Sequence, residues 1–277
     1  MSEPLPPGLY VVATPIGNLG DLSPRAADIL ARAGLILAED TRVTGKLLAH
    51  IGARTPMQRY DDHSSASERE RIVGKLGTVA VALVSDAGTP LISDPGFKLV
   101  RDARDAGQAV RAIAGPSAAI TALSLAGLPT DRFLFVGFLP AKAKARADTI
   151  GELAAVRATL VFYESGPRLG DSLSALSSAL GHREAAVARE LTKLHEECVT
   201  GTLSELAARY AGAPPKGEIV IVVGPPMEAA EASDADLDDA LTRALEEFSP
   251  SRAAAEVARQ LNVARKRAYA RALELSK

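Results

Sequence analysis

The sequence has few of the residues from which metal clusters and disulfide scaffolds are built. It contains one cysteine, four histidines and no tryptophan in 277 residues. Cys198 has no partner for an internal disulfide, and a structural metal site is not expected. No apolar run reaches the roughly 18 residues of a membrane span, and the first residues lack the features of a signal peptide. We therefore expect a cytoplasmic protein with no membrane contact and no metal.

A large excess of charge of either sign is also missing. The chain has 32 lysines and arginines against 34 aspartates and glutamates, a formal charge of −2. This balance lacks the overall basic excess typical of nucleic-acid-binding proteins. Charge is instead segregated near the C-terminus: residues 228–239 carry six acidic side chains and no basic one, whereas 241–277 carry eight lysines and arginines against four glutamates. Any contact with nucleic acid must therefore use local patches.

Short apolar runs that end in glycine, proline or aspartate recur along the chain and alternate with helical patterns. They occupy residues 9–15, 35–40, 79–88 and 109–116, and then 133–140, 158–165, 185–192 and 217–224. The alternation in the first series predicts βαβ units with a largely parallel sheet, and the second series indicates a second α/β domain. Ser23 and Pro24 predict the cap and the first residue of the first helix. Gly127 and Pro129 lie between the two series and mark a domain boundary.

We predict two α/β domains, residues 1–128 and 129–226. An acidic linker, 227–239, then leads to a basic helical unit, 240–277. In this unit Ser249 and Pro250 predict the start of a helix, and residues 261–263 interrupt the pattern before a final basic helix. This spacing is typical of a helix-turn-helix.

Four loops rich in glycine and proline follow predicted strands: ATPIGNLGDLSP, SDAGTPLISDPG, IAGPSA and FYESGPR. Any one of them is equally well explained as a tight turn, but ligands of parallel sheets bind beyond the carboxyl ends of the strands. The four loops together therefore indicate a small-molecule site. Gly88 allows close backbone approach, and Asp86 supplies an acceptor. We interpret Asp94 as the N-cap of the next helix in preference to a substrate contact.

The usual nucleotide and hydrolase signatures are missing. No GxGxxG follows the first strand, and no GxxxxGK[ST] or GxSxG occurs. A dinucleotide, a nucleoside triphosphate or a serine nucleophile is therefore not predicted.

Several longer motifs carry a resemblance to a known family. They are LYVVATPIGNLGDLSPRA, LILAEDTRVTGKLL, VSDAGTPLISDPG, GPSAAITALSLAGLPTDRF, GFLPAKAKAR, FYES, ARELTK and KGEIVIVV. Together they resemble the bacterial ribosomal RNA small-subunit methyltransferase I family, which 2′-O-methylates a cytidine in the decoding centre of 16S rRNA. That family belongs to the tetrapyrrole-methylase superfamily. The similarity runs from about Leu9 through the C-terminal helices.

The resemblance implies two α/β domains of tetrapyrrole-methylase type, with S-adenosyl-L-methionine in the cleft between them, and a homodimer. The small C-terminal helical unit would follow these domains, and the substrate would be small-subunit rRNA or the assembled 30S subunit. The positions that match the cofactor contacts of the family are Pro15, Asp86, Ala87, Gly88, Thr89, Pro90, Ser117, Ala118, Tyr163, Leu191, Gly217 and Glu218.

Methyl transfer to a ribose hydroxyl requires positioned reactants and the removal of one proton. The candidate catalytic residues are Glu190 and Lys193, with Glu164, Glu39 and Asp40 as further helpers. Lysine acts as a base only when its pKa is lowered, and an ordinary exposed lysine is the alternative for Lys193. Glu39 and Asp40 alternatively form a structural ion pair with Arg42.

Local clusters of cations suit contacts with RNA phosphates. The candidates are Arg42, Lys46, Lys142, Lys144, Arg146, Arg265, Lys266 and Arg267. A solvated loop is the alternative for 142–146, and packing or a dimer contact is the alternative for the C-terminal helix.

The chain departs from the family pattern at two places. A His-acid-His-Asn run is common after the position of Tyr60, whereas this sequence has Asp-Asp-His-Ser in 61–64. FYES is usually followed one residue later by His-Arg, and here Pro167 precedes Arg168. Neither of the missing histidines can serve as a base, and the proton acceptor stays open.

Two other functions are compatible with these patterns. The first is methylation of a porphyrin or corrin precursor by the same fold, against which the basic loop 142–146 and the basic C-terminal unit argue. The second is a DNA-binding regulator in which the α/β part senses a small molecule.

Overall fold

Two five-stranded β-sheets form the frame of residues 1–225. The computed structural model describes residues 4–61, 63–226, 233–261 and 263–276. By their contacts these residues fall into two units, Met1–Pro225 and Pro226–Lys277. No helix among them is long and apolar enough to cross a membrane.

The first sheet is entirely parallel, in the order β3-β2-β4-β1-β5. Its strands are β1 (Gly8–Val12), β2 (Leu35–Ala38), β3 (Met57–Arg59), β4 (Ala80–Val84) and β5 (Val110–Ile113). The helices of this part are α1 (Pro24–Arg32), α2 (Thr41–His50), α3 (Ala66–Lys75), α4 (Phe97–Asp105) and α5 (Ala118–Leu125). All five residues of β4 are buried, as expected for a central strand that helices cover on both faces.

The predicted start of the first helix is confirmed. The Ser23 hydroxyl accepts a hydrogen bond from the Ala26 backbone N–H at 3.1 Å, and Pro24 is the first helical residue. Ala26, Ile29 and Leu30 then form a buried stripe at helical spacing.

The second sheet is mixed, in the order β6-β7-β10-β8-β9. Its strands are β6 (Phe133–Phe138), β7 (Thr159–Ser165), β8 (Glu184–Arg189), β9 (Glu197–Thr202) and β10 (Glu218–Val223), and its helices are α6 (Ala143–Leu153), α7 (Gly166–Leu180) and α8 (Leu203–Tyr210). Only β6 and β7 pair in parallel. The short connection at 190–196 lets β9 turn back along β8, so this pair is antiparallel. The largely parallel sheet predicted from the first series of strands is confirmed in the first sheet.

Helix α5 belongs by packing to the second sheet although it precedes the predicted boundary at 128/129. Ala119, Ala122 and Leu123 share a core with residues of β7, β8 and β10, among them Val161 and Val220. The chain therefore passes from one core to the other before Ala118, and α5 lies against both parts of the polypeptide.

The C-terminal unit consists of α9 (Asp234–Leu245), α10 (Pro250–Gln260) and α11 (Arg265–Leu275). Its core includes Leu237, Leu241, Ala254 and Val257. The predicted helix starting at Pro250 and the break before the final helix are present, although Asn262 lies outside the described residues.

The acidic segment predicted as a linker is helical from Asp234 onwards, which corrects its boundary at 239; residues 227–232 lie outside the described part. Ser233 caps α9 in a capping box with Asp236. Asp238 forms a two-point ion pair with Arg271, with oxygen–nitrogen distances of 2.6 and 2.7 Å. The negative charges therefore stabilise the N-terminus of α9 and pair with α11, so this part of the segment is not a solvated linker.

Gly166, the first residue of α7, has no space for a side chain, because a Cβ there would overlap the Pro215 carbonyl oxygen. We expect Gly166→Ala to lower the free energy of unfolding by about 2 kcal/mol, since backbone must move to admit the methyl group. Urea unfolding monitored by circular dichroism measures this change.

Gly151→Ala is the matched control, because nothing lies within 4 Å of a Cβ at Gly151 inside α6. It should raise the stability by roughly 0.5–1 kcal/mol through helix propensity. Equal stabilities of the two variants would contradict the close contact at Gly166.

Candidate functional site

A cavity of about 420 Å³ opens where strand ends of the two sheets face each other. The loops after β4 and β7 and the beginning of the antiparallel β10 contribute to its wall. Its volume lies within the range of about 300–1,000 Å³ that is usual for small-molecule sites. The cavity therefore lies where the glycine-rich loops predict a small-molecule site.

Ten of the twelve predicted cofactor positions line this cavity: Asp86, Ala87, Gly88, Thr89, Ser117, Ala118, Tyr163, Leu191, Gly217 and Glu218. Pro15 borders a second cavity instead, and Pro90 lies outside the lining of the first. The residues that sequence reasoning did not assign to the cofactor are Ile16, Glu39, Ile92, Ser93, Asp94, Phe138, Glu164, Ser165, Ile219 and Val220. Several of these residues closely follow predicted positions, as 92–94 follow 86–90 and 219–220 follow 217–218. Extending each predicted segment by a few residues would have found them.

The interpretation of Asp94 as a helix cap is wrong. Helix α4 begins at Phe97, and its N-cap is Gly96, with φ +132° and no side-chain cap. A Cβ at Gly96 would lie 2.8 Å from Leu83 Cδ2, so glycine allows the helix to start directly against β4. Asp94 lines the cavity instead, which makes it a candidate ligand contact.

Backbone strain is concentrated in two loops at this cavity. Among the residues that the structure describes, four that are not glycine have positive φ: Leu91, Ser93, Glu190 and Thr192. Two lie in the loop after β4 and two in the turn after β8, and both segments contribute to the cavity wall. Such conformations persist where surrounding contacts enforce them, and they are frequent at functional sites.

Hydrogen bonds hold the loop after β4 in place. The Asp86 carboxylate accepts from the Asp40 backbone N–H at 3.0 Å, which ties this loop to the end of β2. The Thr89 hydroxyl donates to the Pro116 carbonyl oxygen at 3.1 Å, which ties it to the loop after β5. The cavity wall is therefore organised by the protein itself.

Asp40 and Arg42 form the ion pair that was the structural alternative for these residues, with 2.6 Å between Arg42 Nη2 and Asp40 Oδ2. Hydrogen bonds from the Arg42 side chain and backbone lower the pKa of Asp40 to about 2. The Asp40 carboxylate also caps α2. It is thus a poor proton acceptor, whereas Glu39 lines the cavity.

Glu164 anchors the start of α7. Its side chain is fully buried and accepts hydrogen bonds from the Ser172 hydroxyl at 2.6 Å and the Ser165 backbone N–H at 2.8 Å. Arg168 Nε lies 3.4 Å from the same carboxylate. These partners favour a structural role for Glu164 over a catalytic one.

Lys193 lies between two carboxylates, with its Nζ 3.0 Å from Glu190 Oε1 and 3.2 Å from Glu218 Oε2. Burial by itself lowers the pKa of Lys193, but the hydrogen bonds and charges of Glu190 and Glu218 together raise it above the ordinary 10.5. The hydrogen bond from Lys193 lowers the pKa of Glu190 below 4.5. The condition for Lys193 to act as a base is therefore not met, and its side chain is a cation.

Two glycines make room for this ion-pair network. A Cβ at Gly217, where φ is +98°, would overlap the Glu190 carboxylate. A Cβ at Gly17 would lie 2.6 Å from Lys193 Cγ. The loop after β1 and the turn before β10 therefore allow the ion pairs to form by leaving these positions without side chains.

The predicted RNA-contacting cations differ in their availability. Arg146 is buried, with its Nε unpaired within the described residues and its Nη1 3.4 Å from the Ala141 carbonyl oxygen, so it is unsuited to phosphates. Arg267 pairs with Asp234 at 2.8 Å. Lys142 and Lys144 in the loop and first turn of α6, and Arg265 and Lys266 on α11, are exposed. These four side chains and the exposed Lys46 on α2 remain candidates for RNA contact, whereas Arg42 pairs with Asp40.

A second cavity of about 360 Å³ adjoins the first. Ile16, Asp86, Ala87 and Glu218 line both cavities. The second also includes Lys193 and side chains from α2 and from the loop after β1. The ion-pair network therefore lies at the junction of two spaces.

Comparison with known proteins identifies the family. Residues 8–207 match Tetrapyrrole (Corrin/Porphyrin) Methylases, and residues 231–276 match the RsmI C-terminal HTH domain. Ribosomal RNA small subunit methyltransferase I of Erythrobacter litoralis is 58% identical over 274 residues, covering 99% of this chain and 97% of the relative. The chain belongs to the ribosomal RNA small subunit methyltransferase I family. Family members from Mesorhizobium japonicum and Escherichia coli O157:H7 are 48% and 46% identical, over 99% and 96% of this chain and 94% of each relative.

Solved structures agree on the fold of this methyltransferase I family member. Uroporphyrin-III-C-methyltransferase from Thermus thermophilus has a TM-score of 0.56 at 21% identity, covering 78% of this chain and 93% of its own. Diphthine synthase has a TM-score of 0.60 at 14% identity, covering 78% and 89%. The predicted fold class and family are confirmed, and the family is one of enzymes, which decides against a DNA-binding regulator.

The pKa shifts of Lys193 and Glu190 predict how the stability of the fold depends on pH. Because the pKa of Lys193 is raised, its ion pairs stabilise the fold below pH 10.5 and are lost as the pH rises through the folded-state pKa. Because the pKa of Glu190 is lowered, its contribution is present above pH 4.5 and is lost as the pH falls. We expect NMR of ¹³C-labelled lysine to give a Lys193 titration midpoint above 10.5.

Glu190→Gln and Glu218→Gln provide the controls, since each removes one of the carboxylates that raise the pKa. The midpoint should fall in each variant and fall furthest in the double variant. A wild-type midpoint near neutral pH would contradict the ion-pair network and restore Lys193 as a base.

Proposed function

We propose that this enzyme transfers the methyl group of S-adenosyl-L-methionine to the ribose 2′-hydroxyl of a cytidine in the decoding centre of 16S rRNA. The observation that carries the proposal is a cavity lined by ten of the twelve positions predicted to bind the cofactor, in a chain whose relatives are named as small-subunit rRNA methyltransferases. A solved structure of the same fold, a uroporphyrin-III C-methyltransferase from Thermus thermophilus, is complexed with S-adenyl homocysteine. This supports the same class of cofactor here.

The lining of the first cavity suits S-adenosyl-L-methionine, which supplies an electrophilic methyl group on a positively charged sulfur. Asp86 and Glu218 bring carboxylates that favour positive charge, and Leu191 and Val220 bring apolar surface for the adenosyl part. Gly88, with φ +76°, lets the backbone approach the ligand without a Cβ. The residues present therefore fit the cofactor in size and chemistry.

Positioning is the main task that these residues perform in methyl transfer. Lys193 holds its proton, so we assign to it a positioning role, with Glu190 fixing the ammonium group. The Glu218 carboxylate borders both cavities. We assign one of its oxygens to accept the proton of the ribose hydroxyl. Within the described residues no histidine lines either cavity.

The proposal extends to the assembly and the place of reaction. The exposed Lys142, Lys144, Arg265 and Lys266 would contact phosphates of rRNA or of the 30S subunit. A homodimer would cover part of the exposed apolar surface, which includes Phe97 at 65% and Phe138 at 57% exposure. A ribosomal substrate places the reaction in the cytoplasm.

The product of the reaction tests the proposed function directly. Purified enzyme, 30S subunits from a deletion strain and S-adenosyl-L-methionine should yield 2′-O-methylcytidine in the decoding centre, detected by nucleoside mass spectrometry. Unchanged cytidine in the presence of active cofactor binding would contradict the proposal. Methylation of a corrin precursor but not of the subunit would favour the tetrapyrrole alternative.

Calorimetry of cofactor binding separates the roles of Asp86 and Lys193. We expect Asp86→Ala to weaken S-adenosyl-L-methionine binding by roughly tenfold or more, because it removes a charged acceptor from the cavity wall. Lys193→Ala should leave this affinity within about twofold but slow methyl transfer. The reverse pattern would contradict both assignments.

A further inference from the structure

The second cavity is the feature of the molecule that the cofactor site leaves unexplained. It measures about 360 Å³, close to the lower end of the volumes of small-molecule sites. Ile16, Asp86, Ala87 and Glu218 form its boundary with the first cavity. A methyl acceptor must come within about 3–3.5 Å of the reacting carbon, so it must bind next to the cofactor site. The second cavity adjoins the first through these four shared residues and therefore has the required position.

This cavity is partly apolar. Leu19 and Val43 line it, and they are 45% and 38% exposed. Leu19 begins a short 3₁₀ turn, which is fixed where the Asn18 side chain accepts a hydrogen bond from the Gly20 N–H at 2.9 Å. Val43 lies in the first turn of α2, which Asp40 caps. Both apolar side chains are therefore held by ordered backbone and face an open space.

The cavity also contains two lysines whose charges are balanced differently. The ammonium of Lys193 lies between the carboxylates of Glu190 and Glu218, so its charge is already compensated. Lys46, on α2, also lines the cavity, and within the described residues it forms no ion pair. The cation available to an anionic ligand in this space is therefore Lys46.

We infer that the second cavity is the acceptor subsite, which takes one ribonucleotide turned out of the RNA, with its base against Leu19 and Val43 and a flanking phosphate at Lys46. This inference rests on the proposed function. Enzymes that modify a nucleotide within folded nucleic acid often extrude it into a pocket and hold its base against apolar side chains. The volume admits a single nucleotide, and the Lys46 ammonium complements its phosphate.

Steady-state kinetics on 30S subunits test the subsite through Lys46→Met. We expect the KM for the subunit to rise about tenfold, with kcat and the affinity for S-adenosyl-L-methionine within about twofold of wild type. Lys46→Arg should restore most of the KM, because it restores the positive charge. The slope of log KM against log salt should fall by about 0.7–0.9, the contribution of one phosphate contact.

Two further variants separate the subsite from a general effect of charge or stability. Lys75→Met removes an exposed lysine at the end of α3, outside both cavities, and should leave the KM and the salt slope unchanged. Leu19→Ala should raise the KM without changing the salt slope, because it removes apolar contact and no charge.

The outcomes distinguish this inference from the function on which it rests. A wild-type enzyme that methylates no 30S subunit overturns the proposed function and the subsite with it. A wild type that is active, with Lys46→Met and Leu19→Ala at the wild-type KM, overturns the subsite alone. An equal rise of KM in Lys75→Met and Lys46→Met also overturns it, since the effect would then be general.

Discussion

The short backbone pairing between Thr14 and Gly88 is the constraint on which the site depends. The Thr14 N–H donates to the Gly88 carbonyl oxygen at 2.8 Å, and the Gly88 N–H donates to the Thr14 carbonyl oxygen at 3.0 Å. Gly88 makes this possible with φ +76°, and a Cβ there would lie 3.3 Å from Ile16 Cγ2. The pairing joins the loops after two central parallel strands. It thereby places Ile16 and Asp86 on the shared wall of the two cavities.

The pairing of charges, more than their number, determines which basic side chains are available to bind phosphate. The acidic segment before α9 and the basic helix α11 look like separate features in the composition, yet Asp234 binds Arg267 and Asp238 binds Arg271. Lys193 is likewise held by neighbouring carboxylates. Electrostatic contact with RNA is then left to exposed cations outside such pairs. A count of basic residues overestimates the surface that can bind phosphate.

Sequence patterns predicted the strands and helices that have strong local signals. They failed where contacts between distant residues determine where a helix starts or whether a side chain is buried. Apolar runs marked eight strands, but β3 and β9 were missed because β3 has only three residues and β9, with the sequence ECVTGT, contains no apolar run. Asp94 has the residue type of a cap, and only the packing of Gly96 against Leu83 shows that the helix starts later. The burial of Arg146 likewise follows from tertiary packing. Resemblance could name candidate cofactor positions because they lie in continuous motifs, and ten of the twelve line one cavity.

Under the proposed function, the fold supplies the cofactor cavity, and the side chains of the second cavity select the methyl acceptor. The first cavity is built largely from loops whose backbone conformation is set by glycines and by hydrogen bonds between strand ends, and distant structures share this fold at 14–21% identity. A fold shared by enzymes of different substrates cannot by itself select an acceptor. Under the proposed function, selection comes from the second cavity, which is lined by Leu19, Val43 and Lys46 together with Asp86 and Glu218. That space holds both apolar surface and an available cation, which is the combination that a nucleotide needs and that a purely anionic ligand would not require.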